Sequence, residues 1–474
     1  MMLKEHDINF LRYLTAKTPL SVFENCLLSS VQKKFSLKRL RGLLLTPRLL
    51  AESAGGSRGY HIYISLPFCV EDCAYCHCSH SRIMSSGIFG EYERYLKEQM
   101  LFFSPFFKNR KVLSVYFGGG SPSIFPARSL DAIFQSVSEQ FMVSPGMDMI
   151  FEGHPASLTE SKVAFLERRG ITRLTVGVQS LDDKVLRTIE RRQTARLALR
   201  CIERVRKSRI PFMNVDLVAG LPGQSVASFI QGLKQVMALE PDGIHVNPFS
   251  QVFKIRYYKR RPCDFPELVR RRQEMLEAAK AVLGDGGYYR EGFEGYQRSA
   301  RADNSQQTDF LERSEDILGL GHGAQTMIRG HVIFRDVSAD LKGPVYHGFK
   351  IEPRYSMAQY IILHALKGLP YHVFEACFGI KVDHAFAQEI SFLCQAGILR
   401  MDQDALVYCG PWTMEGLFDY FVFTKVFFGS RLLELVRKRS FEYDPGRSYD
   451  FASDGFRAKM DDPFFLLTLY DVGY

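Results

Sequence analysis

The stretch Tyr63-Ile64-Ser65-Leu66-Pro67-Phe68-Cys69, followed by Cys73, Cys76 and Cys78, decides how the rest of this chain is read. A β-type run ends at a proline, and cysteines follow at C-x3-C-x2-C-x-C spacing. Thiols this dense at a strand end mark a ligand set. The other six, Cys26, Cys201, Cys263, Cys377, Cys394 and Cys409, are scattered, so no disulfide framework is visible.

Two ligand chemistries compete for the loop. Three thiolates on one tight loop can hold three irons of a [4Fe–4S] cube and leave the fourth iron open. Alternatively Cys69, Cys73, Cys76 and Cys78, helped by His77 and His80, can hold zinc. Structural zinc sites usually draw ligand pairs from separate segments, and ligands this close together make a poor tetrahedron.

Outward from the loop, short apolar runs alternate with helix-sized segments. Strands are predicted at 62–66, 112–117, 147–152, 173–178, 212–217 and 243–247. Helices are predicted between them at 88–104, 127–140, 159–169, 195–208 and 225–239. Strand–helix alternation implies a parallel sheet with right-handed crossovers. Six units imply an α/β fold, a partial (β/α)6 barrel, with an open doubly wound sheet as the alternative. Residues 255–300 read as charged and helical, then loop-like, and 317–324 as a glycine-rich turn region.

The expected domains are an N-terminal helical extension over 1–58, a core barrel over 59–330, a small winged-helix-like α+β domain over 351–430, and a tail over 431–474. The basic stretch 33–41 reads as a solvated helix face. The run Leu417–Val436 is interrupted by charges and reads as a buried helix, so no membrane span is expected.

At 474 residues, with 46% hydrophobic and 24% charged, the composition is that of a globular protein with a sizeable core. The net charge of +9 favours anionic ligands. The polar start, Met1 to Asp7, does not read as a signal peptide, and a labile cluster needs a reducing compartment. A cytoplasmic location is expected, with no nucleic-acid partner.

Further motifs sit at successive strand ends: Gly118-Gly119-Gly120-Ser121-Pro122-Ser123, Glu152-Gly153-His154-Pro155, Gly177-Val178-Gln179-Ser180, Arg191, Asp216-Leu217 and Gly220-Leu221-Pro222-Gly223-Gln224. Barrel enzymes build their sites at such ends. Adjacent glycines let backbone approach a ligand. Arg191 can form a bidentate pair with a carboxylate, and Asp216 can hold ribose hydroxyls, as acids do at nucleotide sites.

In order and spacing these motifs, with Leu318 to Ala324, resemble the radical S-adenosylmethionine (SAM) enzymes. The fuller pattern resembles the branch of oxygen-independent coproporphyrinogen III oxidases (dehydrogenases), heme chaperones and related methyltransferases. The resemblance is strong over about 60–330 and weak over 350–430. It implies a [4Fe–4S] cluster on Cys69, Cys73 and Cys76, and SAM cleavage to a 5′-deoxyadenosyl radical. It also implies two bound SAM molecules, one near Tyr63, Gly119 and Glu152, the other near Tyr75, Gly120, Ser121, Gln179, Arg191, Asp216 and Ser250. The implied partners are a porphyrinogen-like small-molecule substrate and an electron donor such as flavodoxin or ferredoxin.

The implied reaction is oxidative decarboxylation of coproporphyrinogen III. The alternatives are a C-methyltransferase or cyclopropanase acting on another substrate, or heme delivery. Ser65 stands where the family usually shows His, and Arg12-Tyr13-Leu14-Thr15-Ala16 only echoes the family's N-terminal arm. Cys78 speaks for the dehydrogenase, because the chaperones typically carry an aromatic there.

Overall fold

The computed structural model describes residues 50–51, 59–76, 81–82, 87–144, 146–249, 265–291, 295–298, 316–328, 332–336, 344, 346–350, 353–365, 368–395 and 397–409. The predicted N-terminal extension (except 50–51), Cys78, Ser250 and the tail lie outside these residues. The chain divides into two units, one of Arg39–Leu311 with Glu315–Lys350, the other of Met1–Lys38, Glu312–Ser314 and Ile351–Tyr474.

The first unit is built on six parallel strands. They are β1 (Tyr60–Leu66), β2 (Val112–Gly119), β3 (Asp148–Gly153), β4 (Arg173–Gln179), β5 (Phe212–Ala219) and β6 (Gly243–Pro248). Between them run α1 (Ile88–Phe107), α2 (Ala127–Gln140), α3 (Glu160–Arg168), the short α4 (Asp183–Thr188), α5 (Ala195–Arg206) and α6 (Val226–Met237). The strands neighbour one another in sequence order. A doubly wound sheet would reverse its order at a switch point. Sequential order with right-handed crossovers puts every helix on one side and curls the sheet toward a barrel.

Helix starts follow local chemistry. Thr159, Asp182 and Thr194 accept backbone N–H groups in the first turns of α3, α4 and α5, and Ser225 with Ser228 forms a capping box on α6.

Period-2 alternation gives the sheet two unlike faces. Ile62 and Ile64 of β1, Val115 and Phe117 of β2, Phe151 of β3, Leu174 and Val176 of β4, Val215 of β5 and Ile244 of β6 are fully buried in one apolar cluster with the helices. Burying each is worth roughly 1.5–3 kcal/mol. The opposite face is polar. Strand registers align His61 with Ser114, Tyr63 with Tyr116, Glu152 with Thr175, Thr175 with Asn214, and Asp216 with His245.

The sheet extends past both ends of the six. After α7 (Phe265–Asp285), β7 (Tyr289–Glu291) and β8 (Gly295–Gln297) form an antiparallel pair beyond β6. At the other edge β9 (Asp316–Leu320) lies parallel to β1. The strands β10 (Gln325–Ile328), β11 (Val332–Asp336) and β12 (Tyr346–Lys350) continue it as an antiparallel meander.

Two expectations are corrected here. Residues 289–297 carry two strands where a loop was read. The segment 317–324 is only half turn, because Ile317–Leu320 belongs to β9. Gly319 misled the reading. A Cβ there would come within 2.4 Å of the Gln325 carbonyl oxygen, so glycine serves close strand approach.

The second unit contains helices Pro353–His364, Tyr371–Phe378, Val382–Ala385 and Ala387–Gln395. A three-stranded sheet of Leu369–Pro370, Leu399–Met401 and Ala405–Tyr408 completes it. Gly379 ends the second helix in a left-handed conformation, a common helix stop. No described helix is long and apolar enough to cross a membrane.

Candidate functional site

The cysteine loop leaves β1 at Pro67 and is tied down by backbone bonds. Gly120 donates to Leu66 O at 3.0 Å and Ser121 to Phe68 O at 2.9 Å, which lashes the end of β2 to the start of the loop. Ala74 donates to Ile189 O at 2.8 Å, which lashes the loop's far side to the residue after α4. Gly120 has no room for a side chain, since a Cβ would lie 2.6 Å from Phe68 O and 2.8 Å from Phe68 N. Gly119 takes a positive φ of 108°, a conformation that suits glycine.

Cys69, Cys73 and Cys76 are half-buried free thiols. The Cys69 sulfur meets the Ser121 hydroxyl at 3.6 Å. The Cys73 sulfur accepts from Arg191 Nη1 at 3.7 Å. Burial pushes the Cys69 thiol up to about 11 and raises Cys73 as well.

All three line a cavity of about 540 Å³ at the C-terminal ends of β2 to β6. Tyr75, Gly119, Gly120, Ser121, Glu152, Gln179, Arg191 and Asp216 also line it, so eight of the predicted nucleotide-contact residues meet there. Tyr63 lies on the same polar face, its ring 5.5 Å from that of Tyr116, but does not line the cavity. Ser250 and Cys78 are outside the described residues.

Arg191 is buried and spans the site. Besides Cys73, its Nη1 donates to Tyr75 Oη at 3.5 Å and its Nη2 to the Gly177 carbonyl. Gln179 ends β4 at a bulge with φ of 67°, a rare conformation for a residue with a side chain.

Tyr116, which does not line the cavity itself, donates its hydroxyl to Glu152 Oε1. Burial, opposed by that hydrogen bond and reinforced by nearby Asp216, pushes the Glu152 carboxyl up to about 7. Asp216 Oδ1 accepts from Asn214 Nδ2 at 2.8 Å and lies 3.2 Å from His245 Nδ1.

His154 follows Glu152 by two residues and also lines the cavity. Its Nδ1 accepts from Ala156 N at 3.1 Å, which places the ring proton on Nε2. Burial and the neighbouring Arg191 charge lower its pKa to about 3. Sequence reasoning quoted His154 only as part of a motif and passed over Tyr116 and His245. The alternation of 243–247, with polar side chains at 245 and 247, was the available signal.

Ser65, the departure from the family pattern, is buried and donates to His322 O at 2.8 Å. Tyr92 Oη donates to Ser65 O at 2.8 Å and accepts from His322 N at 2.9 Å. Gln99 Oε1 accepts from Gly321 N, and its Nε2 donates to Asp336 Oδ2 at 2.8 Å. Tyr95 donates to that same oxygen. A buried polar network thus fixes the Gly321–Gly323 turn beside the end of β1.

The donor set fits an iron–sulfur cluster, since Cys69, Cys73 and Cys76 are free thiols on one loop and all three line one cavity. The zinc alternative also draws on Cys78, His77 and His80, which lie outside the described residues.

Residues 63–236 match the model of the radical SAM superfamily. The chain therefore carries a radical SAM domain. Within that superfamily it is similar to oxygen-independent coproporphyrinogen III oxidases. It is 29% identical over 270 residues to that of Bradyrhizobium diazoefficiens, covering 56% of this chain and 59% of the relative. It is 31% identical over 244 residues to that of Helicobacter pylori, covering 50% and 53%. The chain thus spans between half and three fifths of the length of these curated relatives. The solved coproporphyrinogen III oxidase of Escherichia coli, described as a radical SAM enzyme, superposes with a TM-score of 0.68 at 20% identity, over 80% of this chain and 92% of that one. That likeness is one of fold.

Proposed function

We propose that this protein is a radical SAM enzyme that oxidatively decarboxylates coproporphyrinogen III to protoporphyrinogen IX without oxygen. The observation that carries the reading is the convergence of Cys69, Cys73 and Cys76 with Gly119, Glu152, Arg191 and Asp216 on one cavity.

Cys69, Cys73 and Cys76 would hold a [4Fe–4S] cluster. Gly119, Gly120, Ser121, Gln179, Arg191 and Asp216, with Glu152 and Tyr75, would hold SAM. When bound, the pair supplies a low-potential electron and a cleavable C–S bond, chemistry that amino-acid side chains do not provide.

The chain's own residues do the rest. Arg191, buried against Cys73 and Tyr75, offers a fixed positive charge to a carboxylate. The triple glycine removes side-chain bulk so that a ligand can pack close against the backbone. Glu152, poised near neutrality by burial, can meet a cationic group as a carboxylate or a neutral group as an acid. The net positive charge of the chain suits a tetracarboxylate substrate. An electron donor such as flavodoxin or ferredoxin and a cytoplasmic setting belong to the same reading.

One observation favours a second reading. Ser65 occupies the site-facing end of β1 where the family usually carries His, and its hydroxyl is spent on His322 O. A different side chain on that face of β1 suits a different acceptor, and hence C-methyl transfer.

The test is anaerobic incubation of the reconstituted protein with SAM, a reductant and coproporphyrinogen III. Protoporphyrinogen IX with stoichiometric CO2 is expected. S-adenosylhomocysteine or methylthioadenosine without CO2 would move the assignment to methyl transfer. Heme binding without turnover would move it to heme delivery.

A further inference from the structure

We propose that His245 is a positioning residue that holds Asp216 in the rotamer by which the cavity grips the ribose hydroxyls of an adenosyl nucleotide. The proposal deepens the reading above and rests on it.

Parallel pairing of β5 with β6 sets Asp216 opposite His245 on the polar face. His245 Nδ1 stands 3.2 Å from Asp216 Oδ1, and Asn214 Nδ2 donates to the same oxygen at 2.8 Å. Polar groups from two strands therefore converge on one carboxylate oxygen. A lone hydrogen bond leaves a carboxylate free to turn about χ2, and a second polar contact from another strand restrains it. Oδ2 is then the oxygen offered to whatever enters the cavity that Asp216 lines.

The arrangement also answers a charge problem. The nearby Asp216 raises the Glu152 pKa, and His245 opposes that effect. An apolar side chain at 245 would remove that opposition and leave one polar contact fewer on Asp216. His245 itself does not line the cavity, so its influence on a ligand passes through Asp216.

The experiment uses the full chain, reconstituted anaerobically, with SAM as the probe in equilibrium dialysis. His245→Phe is expected to weaken binding about tenfold. His245→Gln, whose amide can still donate, should recover most of that loss. Iron content and visible absorbance should match wild type in both. In an Asp216→Ala background, His245→Phe should change nothing further.

His245→Phe binding like wild type would overturn the proposal. An equal loss in the Asp216→Ala background would also overturn it, because His245 would then act by general packing. Wild-type protein that binds no SAM would overturn the underlying functional reading, and this inference with it.

Discussion

Arg191 and Cys73 lie 118 positions apart in the chain, yet Arg191 Nη1 approaches the Cys73 sulfur to 3.7 Å. The contact joins the loop after β1 to the segment after α4, with the Gly177 carbonyl and Tyr75 hydroxyl on the same guanidinium. Arg191→Met should lower SAM affinity tenfold or more, as losing a charged hydrogen bond of ~1.5–3 kcal/mol implies. Arg191→Lys should fall between, since it keeps the charge and loses the planar fork. Binding measurements on reconstituted protein decide it.

Cys73→Ala should abolish iron retention and SAM cleavage together. The two ligands that remain of the assigned set, Cys69 and Cys76, cannot seat a three-ligand cluster. Iron analysis and the visible absorbance after anaerobic reconstitution check this. Full iron content in the variant would refute the ligand assignment.

Gly120→Ala should damage the same loop without touching a thiol. The new Cβ would lie within 3 Å of the Phe68 and Pro67 backbone. Relieving that clash breaks the bonds from Gly120 N and Ser121 N that lash β2 to the loop. A loss of at least ~1–3 kcal/mol is expected from overpacking. Denaturant unfolding and iron content should both report it.

Glu152 carries a pH signature. Its pKa is raised from 4.5 in the unfolded chain to about 7 in the fold. Between these values the folded state holds the extra proton, so stability declines as pH rises from about 4.5 to 7 and levels off above. The full effect is of order 3 kcal/mol at about 1.4 kcal/mol per pKa unit. Glu152→Gln should flatten that slope in urea titrations across the window.

Asp336 is buried, and its Oδ2 accepts from both Tyr95 and Gln99. Asp336→Ala removes an acceptor that two buried donors share. The cost should be ~1–3 kcal/mol per donor left unsatisfied. Because Gln99 also holds Gly321 N, the turn beside Ser65 should loosen, and hydrogen exchange at Gly321–Gly323 should quicken.

The barrel was legible because its strands announce themselves. Val112 to Phe117 and Phe212 to Leu217 are compact β-type runs, each followed by a helix-sized segment, the second opened by a Ser225 N-cap. The cysteine spacing and triple glycine pointed to the candidate site for a similar reason, since few structural roles need those residues so close together. The edge strands escaped notice. Tyr289–Glu291 and Gly295–Gln297 are too short for periodicity to show, and Gly319 imitates a turn. His245 and Tyr116 were missed because a polar residue in an alternating strand reads as solvent-facing. Only the closing of the sheet turns that face inward, and closure depends on contacts far apart in sequence.

The two faces of the sheet answer to different demands. Helices clamp the oily side, so most of the cohesion resides there, while Thr175, Asn214, Asp216, His245 and Asn247 occupy the other. Inward positions can therefore drift under selection by the bound molecule, with little penalty to the scaffold. A lineage could change reactant by swapping a handful of concave side chains.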